Sequence, residues 1–331
     1  MIRAFCGRTC GVGYGLADCG LLTGGGHPQE QAVSTLIIHP GSPKTATTAL
    51  QHVLRRNRKV LSRKGIGLIL PEDIRGQRYL GAYLSAYRAG NVTKIEQRTA
   101  DFFGPFLAKH KVVICSEETL CHDFMPSRKF GLGGIDRSWA AARILSQTGA
   151  EATKVVLSIR PQMDFLTSTY THFVHRHRVA WSFEDWLLHE VDVDRVLWGP
   201  AILAFRKYFG DEAVVPVALT KSNGGTAGYI HEMLHQFGLD RFKLDATLNH
   251  MHNQAPSARA IQLCRMMNAE ILSAEKSERV NSMLAETFPV EEFGRFVANE
   301  NAIPAEVRQR YVEDFAAAFT ASPMPAWTEE A

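Results

Sequence analysis

The chain has 331 residues, 45% of them hydrophobic, enough to bury a sizeable core, and 37 Lys plus Arg stand against 34 Asp plus Glu for a formal net charge of +3. So small an excess excludes the strong basic field of a dedicated nucleic-acid binder, and any anion site must be local. No uninterrupted apolar stretch suits a signal peptide or a membrane span, so a cytoplasmic protein without a membrane span is expected. The six cysteines, at 6, 10, 19, 115, 121 and 264, lack the close spacing of zinc or thioredoxin-like motifs, and no metal site is expected.

Residues 1 to 34, with a Gly24-Gly25-Gly26 run and no periodicity, read as a poorly ordered leader before one α/β domain over 35 to 331. Thr35 to His39 is a β-rich run stopped by Pro40-Gly41 and reads as the first core strand. From Thr47, residues Leu50, Val53, Leu54 and Leu61 recur at helical spacing with Arg55, Arg56, Arg58 and Lys59 off that face, predicting a helix that ends near Gly65. Ile66 to Leu70 follows as a strand closed by Pro71, then helices over Tyr79 to Ala89 and Val92 to Lys109. Lys111 to Cys115 and Thr153 to Ile159 are apolar, β-branched runs without polar alternation, as expected of parallel strands covered on both faces. Trp139, Ala142, Ile144 and Leu145 predict a covering helix between them, and a long helix begins at or near Pro161. Ala213 to Leu219 is a further strand, and from Tyr229 the pattern is mostly helical. The alternation predicts a three-layer α/β fold: a central parallel sheet flanked by helices, with a helical C-terminal part.

Chemistry concentrates first in Pro43-Lys44-Thr45-Ala46-Thr47-Thr48, between a buried strand and an amphipathic helix. Such a turn aims free backbone N–H groups and the positive helix end at one spot, which suits a phosphate or phosphosulfate, with Lys44 adding charge and the threonine hydroxyls adding donors. It is not a Walker A loop, because Lys44 follows Gly41 by only three residues. The second concentration is Arg160-Pro161, at the carboxyl end of a strand, where open α/β sheets bind ligands and a guanidinium can fork onto a phosphate.

The Pro43 to Thr48 stretch resembles the 5′-phosphosulfate loop of sulfotransferases that use 3′-phosphoadenosine 5′-phosphosulfate (PAPS), with Ala46 in place of the usual glycine. Arg160, followed by Ser168 eight residues later, resembles that family's 3′-phosphate site, and the two motifs stand in the family's order. Thr48-Ala49-Leu50-Gln51, Asn57-Arg58 and Ser116-Glu117 have the look of the bacterial-type branch, whereas the Arg-Lys-Gly signature of cytosolic vertebrate-type members is not evident. The resemblance implies a P-loop-like sulfotransferase fold with PAPS as donor and 3′-phosphoadenosine 5′-phosphate (PAP) as product. It implies donor contacts from Pro43, Lys44, Thr45, Ala46, Thr47, Thr48, Arg160 and Ser168, and a hydroxyl-bearing acceptor, carbohydrate or small molecule. Glu117 follows its strand at the interval of the family's base, which makes Lys44 and Glu117 the catalytic pair, with Glu118 as the neighbour that shares or replaces Glu117; adjacent acids at a strand end suggest one raised pKa.

Two alternatives stand beside this one: a P-loop kinase with Glu117 and Glu118 holding magnesium, and a nucleotide-binding homologue without turnover, a reading encouraged by Ala46. His172, His175 and His177 with Arg176 and Arg178 read as a solvated helix end, and Trp181, Phe183 and Trp186 as a core face. Lys221, Ser222 and Asn253 have no diagnostic spacing.

Overall fold

The computed structural model describes residues 34–89, 92–121, 134–248, 255–270 and 273–320; all of the predicted leader but Ser34 lies outside them, as does Asn253. β1 (Thr35–His39), α1 (Thr47–Arg56) and α2 (Arg58–Arg63) are followed by β2 (Ile66–Ile69), α3 (Pro71–Ile74), α4 (Arg78–Ala89), α5 (Glu96–Lys109) and β3 (Val112–Ser116). After α6 (Gly134–Leu145) come β4 (Ala152–Ile159), α7 (Gln162–His177), α8 (Phe183–Glu190), α9 (Gly199–Phe209), β5 (Val214–Ala218) and α10 (Gly225–Gln236). The C-terminal part adds α11 (Ala258–Glu270), α12 (Ala274–Thr287), α13 (Val290–Phe293) and α14 (Ala305–Ala317).

The five strands are all parallel, in the order β2-β3-β1-β4-β5. Because side chains alternate across a strand, neighbours in sequence feed opposite faces. Leu36, Ile38, Val113, Cys115, Val155, Leu157 and Ile159 enter a core shared with α4 to α9 and α14. Ile37, Ile114 and Val156 enter another with Leu50, Val53 and Leu54 of α1 and Tyr229, Ile230 and Met233 of α10. Apolar residues on both faces explain the runs without polar alternation, and each such side chain, once buried, contributes about 1.5–3 kcal/mol.

The helix predicted from Thr47 to near Gly65 is two helices, because Asn57 leaves helical geometry at φ −94°, ψ 3°. Its amide donates to the carbonyls of Val53 and Asp245 and accepts from Asp245 N, so the break is fixed by a segment distant in sequence. The helix predicted from Val92 starts at Glu96, after a 3-10 turn over Thr93–Ile95. Pro161 precedes α7 instead of occupying its first turn.

Candidate functional site

The order of the strands decides where a ligand fits. β1 lies between β3 and β4, so the chain leaves it first toward one edge of the sheet and later toward the other, and the crevice at its carboxyl end is the topological switch point. Three chemistry-bearing segments end there: the loop after His39, the acids after Ser116 and Arg160 after Ile159.

The loop is stitched down from below. Ser42 donates to the Ser158 carbonyl through both N (3.1 Å) and Oγ (2.9 Å), and Ser158 N returns a bond to the Gly41 carbonyl at 2.9 Å. Gly41, at φ +120°, lies so close to the next strand end that a Cβ there would stand 3.3 Å from the Glu118 backbone. The Thr45 hydroxyl is buried and donates to the Ser42 carbonyl at 2.6 Å. Its proton is therefore used inside the loop; Thr47 is also buried, whereas Thr48 is half-exposed.

Lys44 and Ala46 both hold left-handed backbone, at φ 65° and 61°. Ala46 thus occupies the conformation that glycine would take without strain, at a cost of about 1–2 kcal/mol. Ala46→Gly is expected to raise stability by about 1 kcal/mol once glycine's extra chain entropy is subtracted, measured by denaturant unfolding. Ala46 is also the N-cap of α1, so no capping side chain satisfies the first N–H groups, and the first turn contains no acid. Those amides and the helix dipole stay available to an anion.

Arg160 joins the second motif to the first. Its Nη1 donates to the Lys44 carbonyl at 3.2 Å, its own carbonyl accepts from Trp198 Nε1 at 2.7 Å, and its Nε is buried without a hydrogen-bond partner. Trp198 N and Gly199 N are in turn held by Asp314 of α14 at 2.6 and 2.9 Å, with Gln162 Nε2 on the same carboxylate at 2.8 Å. The C-terminal helix thereby braces the Arg160 backbone. Ser168 is half-exposed on α7, and His172 and Arg176 repeat at its helical spacing.

Lys44 feels both His172 and Arg176. Burial pushes the Lys44 ammonium down to about 8, opposed by the charge of Glu118 and assisted by that of Arg176. Burial, then Lys44 and the neighbouring cationic groups, push His172 down to about 3, so its imidazole is neutral at physiological pH. The basic cluster is therefore only partly a solvated helix end. Arg176 bonds Glu278 at the surface, while Asn268 and Asn281 donate to the Val174 carbonyl and cap the last turn of α7.

The acids differ from the expectation. Glu117 is 0% exposed; it accepts from Arg75 Nε and Nη2, each at 2.9 Å, and from Thr119 N and Oγ1 at 2.9 and 2.8 Å. A carboxylate with both oxygens engaged and no exposed surface is less well placed to meet an acceptor hydroxyl than its neighbour: Glu117 anchors Arg75. Glu118, with 21% of its side chain exposed, accepts from Gln51 Nε2 at 2.6 Å and Arg75 Nη2 at 2.7 Å. Burial alone would raise it, yet these bonds hold it below the usual carboxylate range, so the raised pKa expected of the adjacent acids is not found in Glu118. Sequence reasoning missed Arg75, Trp198 and Asp314, which belong to no motif; His172 was visible, but its approach to Lys44 depends on how α7 packs. Phe183 and Trp186 are core, as expected, and Trp181 is 41% exposed.

The fold and these residues define an α/β protein with a strand-loop-helix turn at the switch point of a five-stranded parallel sheet. No protein-family model matches the chain, and no curated protein matches it. Among solved structures, the crystal structure of a sulfotransferase from Alicyclobacillus acidocaldarius is similar to it at 13% identity with a TM-score of 0.40, over 76% of this chain and 95% of that one. Among the described residues no helix is long and apolar enough to cross a membrane.

Proposed function

We propose that the chain is a PAPS-dependent sulfotransferase that moves a sulfuryl group to an acceptor hydroxyl, on a carbohydrate or a small molecule, and releases PAP. The observation that carries this reading is the bond from Arg160 to the Lys44 carbonyl beside a buried, unpartnered Arg160 Nε. It joins the two motifs into one anion cradle with a spare donor, which fits a nucleotide bearing phosphate at both ends. Lys44, the Thr48 hydroxyl and the open N–H groups of α1 hold the phosphosulfate; Pro43, Thr45, Ala46 and Thr47 shape the loop; Arg160 and Ser168 take the 3′-phosphate.

In the transfer, the bond from sulfur to the bridging phosphate oxygen breaks as the acceptor oxygen bonds to sulfur. Lys44 neutralises the charge that develops on the departing phosphate, and Glu118, the ionised acid with exposed surface, takes the acceptor proton. The kinase alternative loses support because Glu117 and Glu118 both already bond the Arg75 guanidinium, which a magnesium ion at that pair would have to displace.

Calorimetric titration with PAP, with ATP plus magnesium, and with adenosine 5′-phosphate tests the reading. Binding that requires the 3′-phosphate is expected; preference for magnesium-ATP, or no binding, overturns it, and tight PAP binding without transfer to any acceptor would favour the homologue without turnover. The same titration has an expected pH dependence. An anion favours protonated Lys44, and burial lets the free protein lose that proton near pH 8. PAP affinity should therefore be steady below that pH and fall above it, by up to about tenfold per pH unit.

A further inference from the structure

α9 begins at a residue that cannot cap it. The position before a helix favours a short side chain whose oxygen accepts the unpaired N–H groups of the first turn. Here it holds Trp198, whose indole can only donate and makes no cap bond, and the first turn contains no acid. The acceptor comes instead from α14. Asp314 takes the backbone N–H of Trp198 at 2.6 Å and that of Gly199 at 2.9 Å, and Gln162 Nε2, at the start of α7, donates to the same carboxylate at 2.8 Å. Asp314 is 8% exposed, Trp198 2% and Gln162 1%.

A carboxyl in such a place is costly unless its bonds require it. Burial pushes Asp314 up, and the three N–H bonds oppose that. Among the described residues it has no ion pair, so uncharged N–H groups and the positive end of α9 balance its charge. A serine or an asparagine would cap α9 with less desolvation, but one hydroxyl or amide oxygen has two lone pairs and cannot serve three donors.

With the cap supplied by α14, the Trp198 side chain serves another element. Its Nε1 donates to the Arg160 carbonyl at 2.7 Å, and its ring packs edge-on against Phe165 of α7 at 5.1 Å between centroids. The peptide after Arg160 belongs to Pro161, which has no N–H, so that carbonyl is the one group through which a hydrogen bond can fix the peptide plane. From there the Arg160 side chain reaches the Lys44 carbonyl through Nη1 at 3.2 Å, with its Nε buried and unpartnered.

We propose that Asp314 is a positioning residue for the donor site: by fixing Trp198 it fixes the Arg160–Pro161 peptide, and so aims the Arg160 guanidinium at the 3′-phosphate. The links from Asp314 to the Arg160 carbonyl are hydrogen bonds of the structure; only their effect on donor affinity rests on the proposed function. The C-terminal helix, which carries no motif, becomes part of the nucleotide site.

Hydrogen exchange of the Trp198 indole N–H in the full chain reads the first link, with Trp198→Phe identifying its signal among five tryptophans by its absence. Asp314→Asn keeps the size of the side chain but turns an amide N–H toward groups that donate. It should speed exchange of that indole proton and weaken PAP binding by roughly tenfold, the scale of one lost buried hydrogen bond. Trp198→Phe leaves Asp314 capping α9, keeps an aromatic ring beside Phe165 and removes the N–H that holds Arg160; a similar loss of PAP affinity is expected. Because both substitutions act through one carbonyl, the double variant should bind PAP no more than about twofold worse than the weaker-binding single variant. A merely structural Asp314 would lower the melting temperature of Asp314→Asn and leave the PAP affinity of the folded protein unchanged, which overturns the proposal. Indole exchange that ignores Asp314→Asn overturns it too, as do losses that multiply to roughly a hundredfold in the double variant. Wild-type PAP affinity in Trp198→Phe does the same, whatever the stability of Asp314→Asn. A wild-type protein that ignores PAP while its indole proton responds to Asp314→Asn supports the relay and defeats the donor reading instead.

Discussion

Lys44→Ala is expected to lower sulfuryl transfer by about 10²–10³-fold, the usual consequence of removing a group that stabilises charge developing on a leaving atom. Alanine is the informative replacement because the Lys44 backbone is at φ 65°. Glycine would relieve strain as well as remove charge, whereas alanine keeps the left-handed penalty and removes only the side chain. Stability should not fall with activity. The ammonium already loses by burial, which is why it releases its proton near pH 8, and its removal relieves that cost. The expected pattern is an unchanged or slightly raised melting temperature, weaker PAP binding, and loss of the fall in affinity above pH 8. Steady-state transfer rates, thermal unfolding and titration with PAP check the three parts. Wild-type transfer by Lys44→Ala would remove the loop from the reaction.

How much of this was legible in the sequence depends on the range of the interaction that sets each feature. β1, β3 and β4 were readable because both faces of a central parallel strand are covered, so Leu36-Ile37-Ile38 or Val155-Val156-Leu157 is apolar without alternation. The loop was readable because its proline, lysine and threonines stand beside one another between a strand and a helix. The left-handed backbone at Ala46 was legible too, as the position where glycine would be the unstrained choice. The break at Asn57 was not, since its cause is a pair of bonds to Asp245. The partner of the two acids was equally hidden. Arg75 follows a four-residue helix, and nothing local marks it as the group that bonds both Glu117 and Glu118. Sequence spacing put a carboxylate at the end of β3, and the fold decided which of two neighbours turns inward.

That decision is tested by paired substitutions at the two acids. Glu117→Gln should act on stability: it removes the negative charge that receives two Arg75 bonds and two Thr119 bonds, and it places an amide N–H against the Arg75 guanidinium or the Thr119 amide, which can only donate. The loss is expected at about 2–3 kcal/mol, below the full cost of breaking a buried pair because Arg75 is 46% exposed and can rehydrate. Glu118→Gln should act on chemistry. The amide keeps most of the shape and a hydrogen-bonding oxygen but cannot take a proton, and transfer should fall by about 10²–10⁴-fold with the acceptor KM little changed. The same substitution removes the charge that raises Lys44 against its burial. The fall in PAP affinity should therefore begin at lower pH in Glu118→Gln than in the wild-type protein, a shift that loss of a distant structural acid would not produce. Chemical unfolding, kcat and KM for transfer, and PAP titration across pH separate the two roles. If Glu117→Gln abolishes transfer at wild-type stability while Glu118→Gln transfers normally, the buried acid must turn outward when the acceptor binds, and Arg75 must release it.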